Sequence, residues 1–291
     1  MSEISIVLMG GLGNQLFQIY ALLSTVLSQN KPFVFPIRLA GRRQRIYTDT
    51  IFRNLRPFFK DRSVHPVIGY HEPHYHYSPI PVIDPGTSLH GYFQSYRYFQ
   101  DHMSVVNSIL QIDQQKSTFY FQEILGNTLN LHLNGIAMHF RVGDYKQLQE
   151  CHPVLTREYY ENALNFIQDQ SQSQNPKIQH VTYFYEREDQ THVLEIVNYL
   201  KLKFANLSFS PCPSGLQDYE EMLVMSMYAH NIIANSSFSW WSAMYNDNPD
   251  KVVCYPDIWF GSKMSDHDTK DLCPPDWHRV PTDQASPASS G

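Results

Sequence analysis

This chain of 291 residues has few cysteines and fewer basic than acidic residues. The four cysteines are scattered and form no CxxC pair: Cys151, Cys212, Cys254 and Cys273. This spacing argues against a disulfide framework or a zinc site and predicts reduced thiols in a reducing compartment. The net charge of −6 disfavours a nucleic-acid-binding surface and a polybasic membrane patch.

Long apolar segments are missing as well. The first apolar run, Ile4–Met9, ends at Gly10-Gly11 and is too short for a signal-peptide core or a membrane span. The sequence therefore predicts a soluble, cytoplasmic protein, or one peripheral to a membrane, without a transmembrane segment. It predicts no particular oligomeric state.

Strand-like and helix-like segments alternate along the chain in two successive sets. This alternation predicts an α/β fold with two Rossmann-like domains that face each other across a cleft. We place the domains at 1–130 and 131–275. Residues 276–291, which are rich in proline, serine and alanine, are predicted to be a disordered tail.

The segment Asn231–Tyr245 carries the most informative pattern. A short apolar run leads into Asn235, Ser236 and Ser237, which are residue types preferred at helix N-caps. The following residues fit a short helix. Such a turn presents backbone N–H groups and the positive end of a helix dipole, and therefore predicts an anion site. An ordinary capped helix is the alternative, but the adjacent Trp240 and Trp241 favour a sugar phosphate.

Two further turns follow predicted strands. The glycine-rich turn Gly10–Gln15 would let a ligand approach bare backbone, or would serve only for packing. It lacks the dinucleotide fingerprint GxGxxG because Leu16 stands where the last glycine is required, so no dinucleotide cofactor is predicted.

The turn His139–Asp144 combines a fixed positive charge with two other polar groups. The planar guanidinium of Arg141 suits two phosphate oxygens. His139 lies two residues earlier and points to the same face of a strand, where it could hydrogen-bond to a ligand. Asp144 could orient Arg141 or act as a base. A plain Arg–Asp ion pair at a strand end is the alternative.

No metal site is predicted. The spacing of His71, His74 and His76 could hold a metal, but no second ligand pair completes the set. The only Asp-x-Asp string, Asp266-His267-Asp268, lies near the carboxyl terminus and is interpreted as a solvated loop.

Four motifs resemble those of the α-1,2-fucosyltransferases of glycosyltransferase family 11. They are Gly-Gly-Leu-Gly-Asn-Gln-Leu-Phe-Gln at 10–18, Gly-Tyr-Phe-Gln-Ser-Tyr at 91–96, His-x-Arg-x-Gly-Asp-Tyr at 139–145 and Asn-Ile-Ile-Ala-Asn-Ser-Ser-Phe-Ser-Trp-Trp at 231–241. The resemblance implies a GT-B fold, with the acceptor domain at 1–130 and the donor domain at 131–275. It also implies an inverting transfer from GDP-L-fucose to a galactoside, with no cofactor and no metal.

The resemblance also implies roles for single residues. Arg141 would grip the donor pyrophosphate, and Asn14 would face the reacting centre. The predicted catalytic residues are Arg141 and Asp144. The predicted donor-binding residues are Gly11, Gly13, Asn14, Gln15, His139, Asn235, Ser236, Ser237, Phe238 and Ser239.

Two departures from the family pattern keep alternatives open. Val142 stands where the family usually has a second arginine, so an arginine there is expected to be tolerated or mildly beneficial for donor binding. The alternative is that Val142 packs against the core, in which case a buried unpaired charge would destabilise the fold. Residues 185–189 read Tyr-Glu-Arg-Glu-Asp in place of Ser-Asp-Asp, which leaves the guanine and ribose contacts open. The alternatives are a transferase for a different GDP-sugar and a non-catalytic sugar- or nucleotide-binding protein. A serine hydrolase is disfavoured because no nucleophile elbow is present.

Overall fold

The computed structural model describes residues 3–37, 45–60, 68–124, 133–170 and 178–283. The chain divides into two compact units. The first unit comprises Met1–Thr118 and Asp266–Pro274, and the second comprises Phe119–Ser265 and Pro275–Gly291. The predicted domain boundary between residues 130 and 131 lies outside the described residues.

The first unit is built on short parallel strands. Its three-stranded sheet has the order β1-β5-β4 and a second sheet pairs β2 with β3. The strands are β1 (Ser5–Ile6), β2 (Phe35–Pro36), β3 (Phe59–Lys60), β4 (Ile68–His71) and β5 (Thr87–His90). The helices are α1 (Leu12–Gln29), α2 (Met103–Leu110) and α3 (Ile112–Ile124), the last of which begins in this unit.

Helix α1 forms the core of the first unit. It is buried almost all round, from Leu12 to Val26 with the exception of Asn14, as expected of a helix that is apolar on most faces. The helix ends where Asn30 adopts a left-handed conformation with φ 49°, a common C-terminal stop for this residue type.

The second unit contains a six-stranded, all-parallel sheet of order β11-β10-β9-β6-β7-β8. Its strands are β6 (Ile136–His139), β7 (His180–Phe184), β8 (Ser208–Pro211), β9 (His230–Ile232), β10 (Val253–Pro256) and β11 (His278–Val280). Its helices are α4 (Arg157–Gln170), α5 (Gln190–Lys203), α6 (Asp218–Met225) and α7 (Ser237–Met244).

The strand order reverses at β6. From this fully buried strand the chain first adds β7 and β8 on one side, and then β9, β10 and β11 on the other. The loops that follow β6 and β9 therefore diverge at the carboxyl edge of the sheet. In open parallel sheets such a switch point is where ligands bind.

The predicted α/β class with parallel sheets is confirmed, whereas the two-domain GT-B arrangement stays a prediction. The prediction of a disordered tail from residue 276 is wrong for its first part. Residues His278–Val280 form edge strand β11, which pairs with β10. Buried Val280 belongs to the core, and this burial offsets the cost of ordering the segment. Residues 284–291 lie outside the described part of the chain.

Within the described ranges, no helix is both long enough and apolar enough to cross a bilayer.

Candidate active site

The turn between β9 and α7 has the predicted capping geometry. Ser236 is extended, with φ −139° and ψ 128°, and its hydroxyl oxygen accepts a hydrogen bond from the Phe238 N–H at 3.3 Å. It is therefore the N-cap of α7, which confirms the predicted strand, turn and helix. The first turn of α7 carries no acidic residue, so no side chain within that turn neutralises the positive end of the helix.

Asn235 and Ser239 are buried inside this turn. The Asn235 side-chain amide donates to the carbonyls of Pro153 at 3.0 Å and Trp259 at 3.2 Å. The Ser239 hydroxyl lies 3.4 Å from the carbonyls of both Ala234 and Ser236. These two side chains support the turn from behind, while Ser237 and Phe238 are partly exposed. Donor binding by these residues stays a prediction.

The two adjacent tryptophans belong to the core. Trp240 and Trp241 are both fully buried, and the Trp240 ring packs against Trp277 with centroids 5.4 Å apart. The two rings are therefore not placed to contact a ligand, and a sugar-phosphate site at this turn stays a prediction. Burying two large aromatic side chains instead anchors α7 to the second unit.

Arg141 follows β6 and points its guanidinium at two carboxylates. One terminal nitrogen donates to Asp144 Oδ1 at 2.6 Å, and the other contacts Glu186 Oε1. The guanidinium also lies over the Tyr145 ring, 5.0 Å from its centroid. Burial opposes the charge, but the carboxylates of Glu186 and Asp144 outweigh it and raise the Arg141 pKa. The charge of Arg141 is therefore permanent.

His139 lies at the end of β6 between Arg141 and the start of α7. Its ring is buried, with its centroid 5.5 Å from that of Phe238. Burial, with a smaller contribution from the charge of Arg141, lowers its pKa to about 3. The imidazole is therefore neutral at physiological pH, and its Nδ1 atom is buried without a hydrogen-bond partner among the residues that the structure describes. A buried polar atom of this kind is rarely left unpaired, which favours a ligand contact.

The turn Gly143–Gln147 is fixed from both neighbouring strands. On the β7 side, Asp189 accepts from the Gly143 N–H at 2.6 Å and from Lys146 Nζ at 2.8 Å. On the β9 side, the Tyr145 hydroxyl donates to the Asn235 carbonyl at 3.1 Å. Sequence reasoning assigned no role to Tyr145, Glu186 or Asp189. Glu186 and Asp189 follow β7, the strand that pairs with β6. This position after a strand is the sequence feature that could have indicated a role for them.

Val142 is part of the hydrophobic core of the second unit and is only 3% exposed. The expectation that an arginine would be tolerated or beneficial here is therefore at odds with its surroundings. The side chain faces away from solvent, so a longer, charged side chain would have to be buried without a partner.

The glycine-rich turn of the first unit precedes α1, for which Gly11 is the N-cap. Gly10 adopts φ +80°, and a Cβ atom there would lie 2.2 Å from the Asn14 amide nitrogen. Only glycine fits at this position. The buried side chain of Gln15 donates to the carbonyls of Gly10 at 3.0 Å and Arg45 at 2.9 Å, which supports the packing alternative for that residue.

Asn14, Gly11 and Gly13 differ in their surroundings. The Asn14 side-chain oxygen accepts from Gln94 Nε2 at 2.8 Å, and Gln94 in turn accepts from the Tyr75 hydroxyl. Gly11 faces open space, whereas Gly13 is buried within α1. A contact between these residues and the donor stays a prediction.

The side chains of the two candidate metal motifs contact one another and nearby groups, with His76 Nδ1 3.5 Å from Asp268 Oδ2. The rings of His74 and His76 stack at 4.8 Å, and His71 packs against His90 at 4.7 Å. Asp268 binds Lys270 at 2.8 Å. Within the described ranges, no group of three or more His, Cys, Asp or Glu side chains is arranged to hold a metal.

No protein-family model matches the chain. Two curated proteins of Escherichia coli are similar to it. The O-antigen biosynthesis glycosyltransferase WbnK is 28% identical over 204 residues, which is 64% of this chain and 59% of that protein. The alpha-1,2-colitosyltransferase is 24% identical over 194 residues, 65% of this chain and 61% of that protein. These relatives confirm the predicted family resemblance.

The matched region spans about 59–61% of the length of these glycosyltransferases. Among solved structures, a mutant of Arabidopsis thaliana FUT1 in complex with GDP matches with a TM-score of 0.48 and 10% identity, over 94% of this chain and 74% of that one.

Proposed function

We propose that this protein is an inverting glycosyltransferase that moves L-fucose from GDP-fucose to a hydroxyl group of a galactoside. The observation that carries the proposal is the grouping of Arg141, His139 and the capped start of α7 at the carboxyl ends of adjacent strands β6 and β9. It places a permanent cation, a buried neutral imidazole and a helix N-terminus around the switch point of the sheet. The two curated relatives of this chain are named as a glycosyltransferase and a colitosyltransferase, which supports glycosyl transfer as the reaction class.

The main requirement of the proposed reaction is stabilisation of the leaving group, GDP. When the bond between fucose and the β-phosphate breaks, negative charge develops on GDP. Preorganised donors aimed at such charge are usually the largest contribution to catalysis. Arg141 offers the planar fork that suits phosphate oxygens, and the N-terminus of α7 offers backbone N–H groups and the Ser236 and Ser237 hydroxyls.

Asp144 remains the proposed base for the acceptor hydroxyl, and it has a second role. Its carboxylate binds Arg141 at 2.6 Å and thereby helps to orient the guanidinium. Asp144→Asn keeps an oxygen that can accept from Arg141 but removes the base. A loss of turnover with unchanged GDP affinity would therefore separate the base from the orienting role.

A donor screen tests the proposed function directly. The protein is titrated with GDP-fucose, GDP-mannose and a UDP-sugar by calorimetry, and transfer is measured with lactose as a simple galactoside. We expect tight binding and transfer with GDP-fucose only. Binding of GDP-fucose without transfer to any galactoside would favour a non-catalytic binding protein instead.

A second candidate is a transferase for another GDP-deoxysugar. One relative is named for colitosyl transfer, and residues 185–189 depart from the fucosyltransferase pattern. GDP-colitose therefore belongs in the same screen, and preference for it over GDP-fucose would favour this candidate.

Excess EDTA is expected to leave activity unchanged. The proposed site stabilises the diphosphate with Arg141 and the α7 N-terminus, so divalent metal has no required part in charge neutralisation. Initial rates are compared before and after dialysis against EDTA. Loss of turnover that Mn²⁺ or Mg²⁺ restores would show that the mechanism depends on a metal.

Combined Ser236→Ala and Ser237→Ala replacement is expected to weaken binding of GDP and GDP-fucose while acceptor binding stays nearly unchanged. The double variant loses two hydroxyl donors at the helix start. It also loses the α7 cap, which costs about 0.5–2 kcal/mol of stability. Affinities are therefore measured by calorimetry at a temperature where both proteins are folded.

Ser226→Ala is a suitable control for the serine pair, because the buried Ser226 hydroxyl donates to the Leu223 carbonyl of α6 at 2.6 Å. It should leave donor affinity unchanged. A double variant that melts early yet binds GDP-fucose like the wild type would show that the turn has a structural role alone.

A further inference from the structure

Asp189 occupies the N-cap position of α5 but does not cap that helix. Its side chain makes no capping hydrogen bond to α5, although aspartate is among the residues preferred for that purpose. Both of its oxygens are directed to the loop after β6 instead. Oδ2 accepts from the Gly143 N–H at 2.6 Å, and Oδ1 binds Lys146 Nζ at 2.8 Å.

This carboxylate is unusually well enclosed for a charged group. The Asp189 side chain is 4% exposed, and charged side chains are seldom buried unless they are paired. Burial opposes ionisation, but the hydrogen bonds from Lys146 and Gly143 outweigh it and lower the Asp189 pKa. The Asp189 carboxylate therefore stays ionised because Gly143 and Lys146, both in the turn after β6, donate hydrogen bonds to it.

The turn held by Asp189 carries the aromatic ring over which the Arg141 guanidinium lies. Gly143 and Lys146 flank Tyr145, whose ring lies 5.0 Å beneath the guanidinium carbon of Arg141. Gly143 itself has φ +28° and leaves little room beside Glu186, since a Cβ atom would lie 3.2 Å from Glu186 Oε2. Movement of this turn would therefore move the surface on which Arg141 rests.

We propose that Asp189 is a positioning residue, which acts through Gly143 and Lys146 to hold the Arg141 guanidinium ready for the donor diphosphate. The proposal rests on the proposed function, because it assumes that Arg141 binds the diphosphate. It also gives a role to the segment 185–189, the part of the chain that departs most from the family pattern. The acid to which we assign this role is Asp189, the last residue of the segment and the N-cap of α5.

The test separates the phosphates from the nucleoside. The affinities of GDP and guanosine are measured by calorimetry for the wild type, Asp189→Asn and Asp189→Leu. Loss of one charge-assisted hydrogen bond corresponds to about a tenfold change in affinity. We expect Asp189→Leu to weaken GDP binding at least tenfold and Asp189→Asn about threefold, while guanosine affinity stays within about twofold. A purely structural role would lower both affinities together.

Lys146→Met provides a matched comparison. It removes the same ion pair as Asp189→Asn, while the Gly143 N–H keeps its acceptor. The two single variants should therefore lose similar GDP affinity, and the double variant should lose no more than either one. A much larger loss for Lys146→Met would mean that the lysine binds phosphate itself, and would overturn the positioning role.

Asp257→Leu controls for general damage to the second unit. Asp257 accepts from the Thr282 N–H at 2.9 Å after β10 and takes no part in the Arg141 turn, so GDP affinity should be unchanged. Wild-type protein that does not bind GDP would overturn the proposed function, and this inference with it. Wild-type protein that binds GDP no better than Asp189→Leu and Asp189→Asn would overturn this inference alone.

Discussion

Replacing Arg141 with alanine is expected to lower turnover by about 10²–10³-fold, the scale of loss when one preorganised donor to developing charge is removed. The reason is that the guanidinium supplies the only permanent charge we assign to the leaving diphosphate. The measurement is initial-rate kinetics with GDP-fucose and a galactoside. The fold should survive, because the two carboxylates left behind, on Asp144 and Glu186, are 61% and 56% exposed and can be solvated.

Arg141→Lys is the informative companion to this variant. A lysine keeps the charge but lacks the planar fork, so activity should recover only in part. Full recovery would mean that charge alone suffices and that the bidentate geometry is irrelevant. If Arg141→Ala kept kcat within a few-fold of the wild type, Arg141 could not be the residue that stabilises the leaving group.

Val142→Arg is expected to cost about 3–5 kcal/mol of folding stability, as an uncompensated buried charge does. Val142 is 3% exposed and packs within the core of the second unit, so the new guanidinium would find neither water nor a partner. The measurement is the free energy of unfolding in urea, or the amount of soluble protein where the variant does not fold.

The same substitution at an exposed valine controls for the general effect of arginine. Val82 is 81% exposed, and Val82→Arg should change stability by no more than about 0.5 kcal/mol. A Val142→Arg protein as stable as the wild type, with tighter GDP binding, would restore the idea that this chain merely lacks a second phosphate contact.

Features determined by neighbours along the chain could be predicted from the sequence. The cap at Ser236 depends on a hydroxyl and a backbone N–H two residues away, and the apolar strand before it is equally local. The buried strand β6 and the polar loop after it were predicted for the same reason: a short apolar run followed by Arg141 and Asp144 is readable without knowing the rest of the fold.

Features that depend on tertiary contacts could not be predicted. Arg141 and Glu186 are 45 residues apart in sequence, and their contact exists only because β6 and β7 are neighbours in the sheet. The burial of Val142 likewise depends on what α4 and α5 pack against. The family resemblance led to the wrong expectation for an arginine at position 142, because it describes the usual residue at that position and not the surroundings of Val142 in this chain.

The short edge strand β11 was missed for a different reason, and β4 is equally hard to recognise from sequence. Strand β11 is only three residues long and includes His278 and Arg279, so it shows no apolar alternation that could distinguish it from a loop. Strand β4 includes Gly69 and lies beside a segment dense in proline, histidine and tyrosine. Both strands are defined by hydrogen bonds to a neighbouring strand, not by their own composition.

The interleaved order of the two units has a consequence for synthesis of the protein. The first unit includes Asp266–Pro274, which is tied to it by the Ser95 hydroxyl at 2.6 Å from the Asp271 carbonyl, and the second unit gains β11 only after that. A nascent chain that has reached residue 265 therefore has two incomplete units and no finished one. Domains usually fold one after another as the ribosome releases them. Because each unit includes a segment beyond residue 265, we expect neither unit to complete its folding before that stretch has been synthesised.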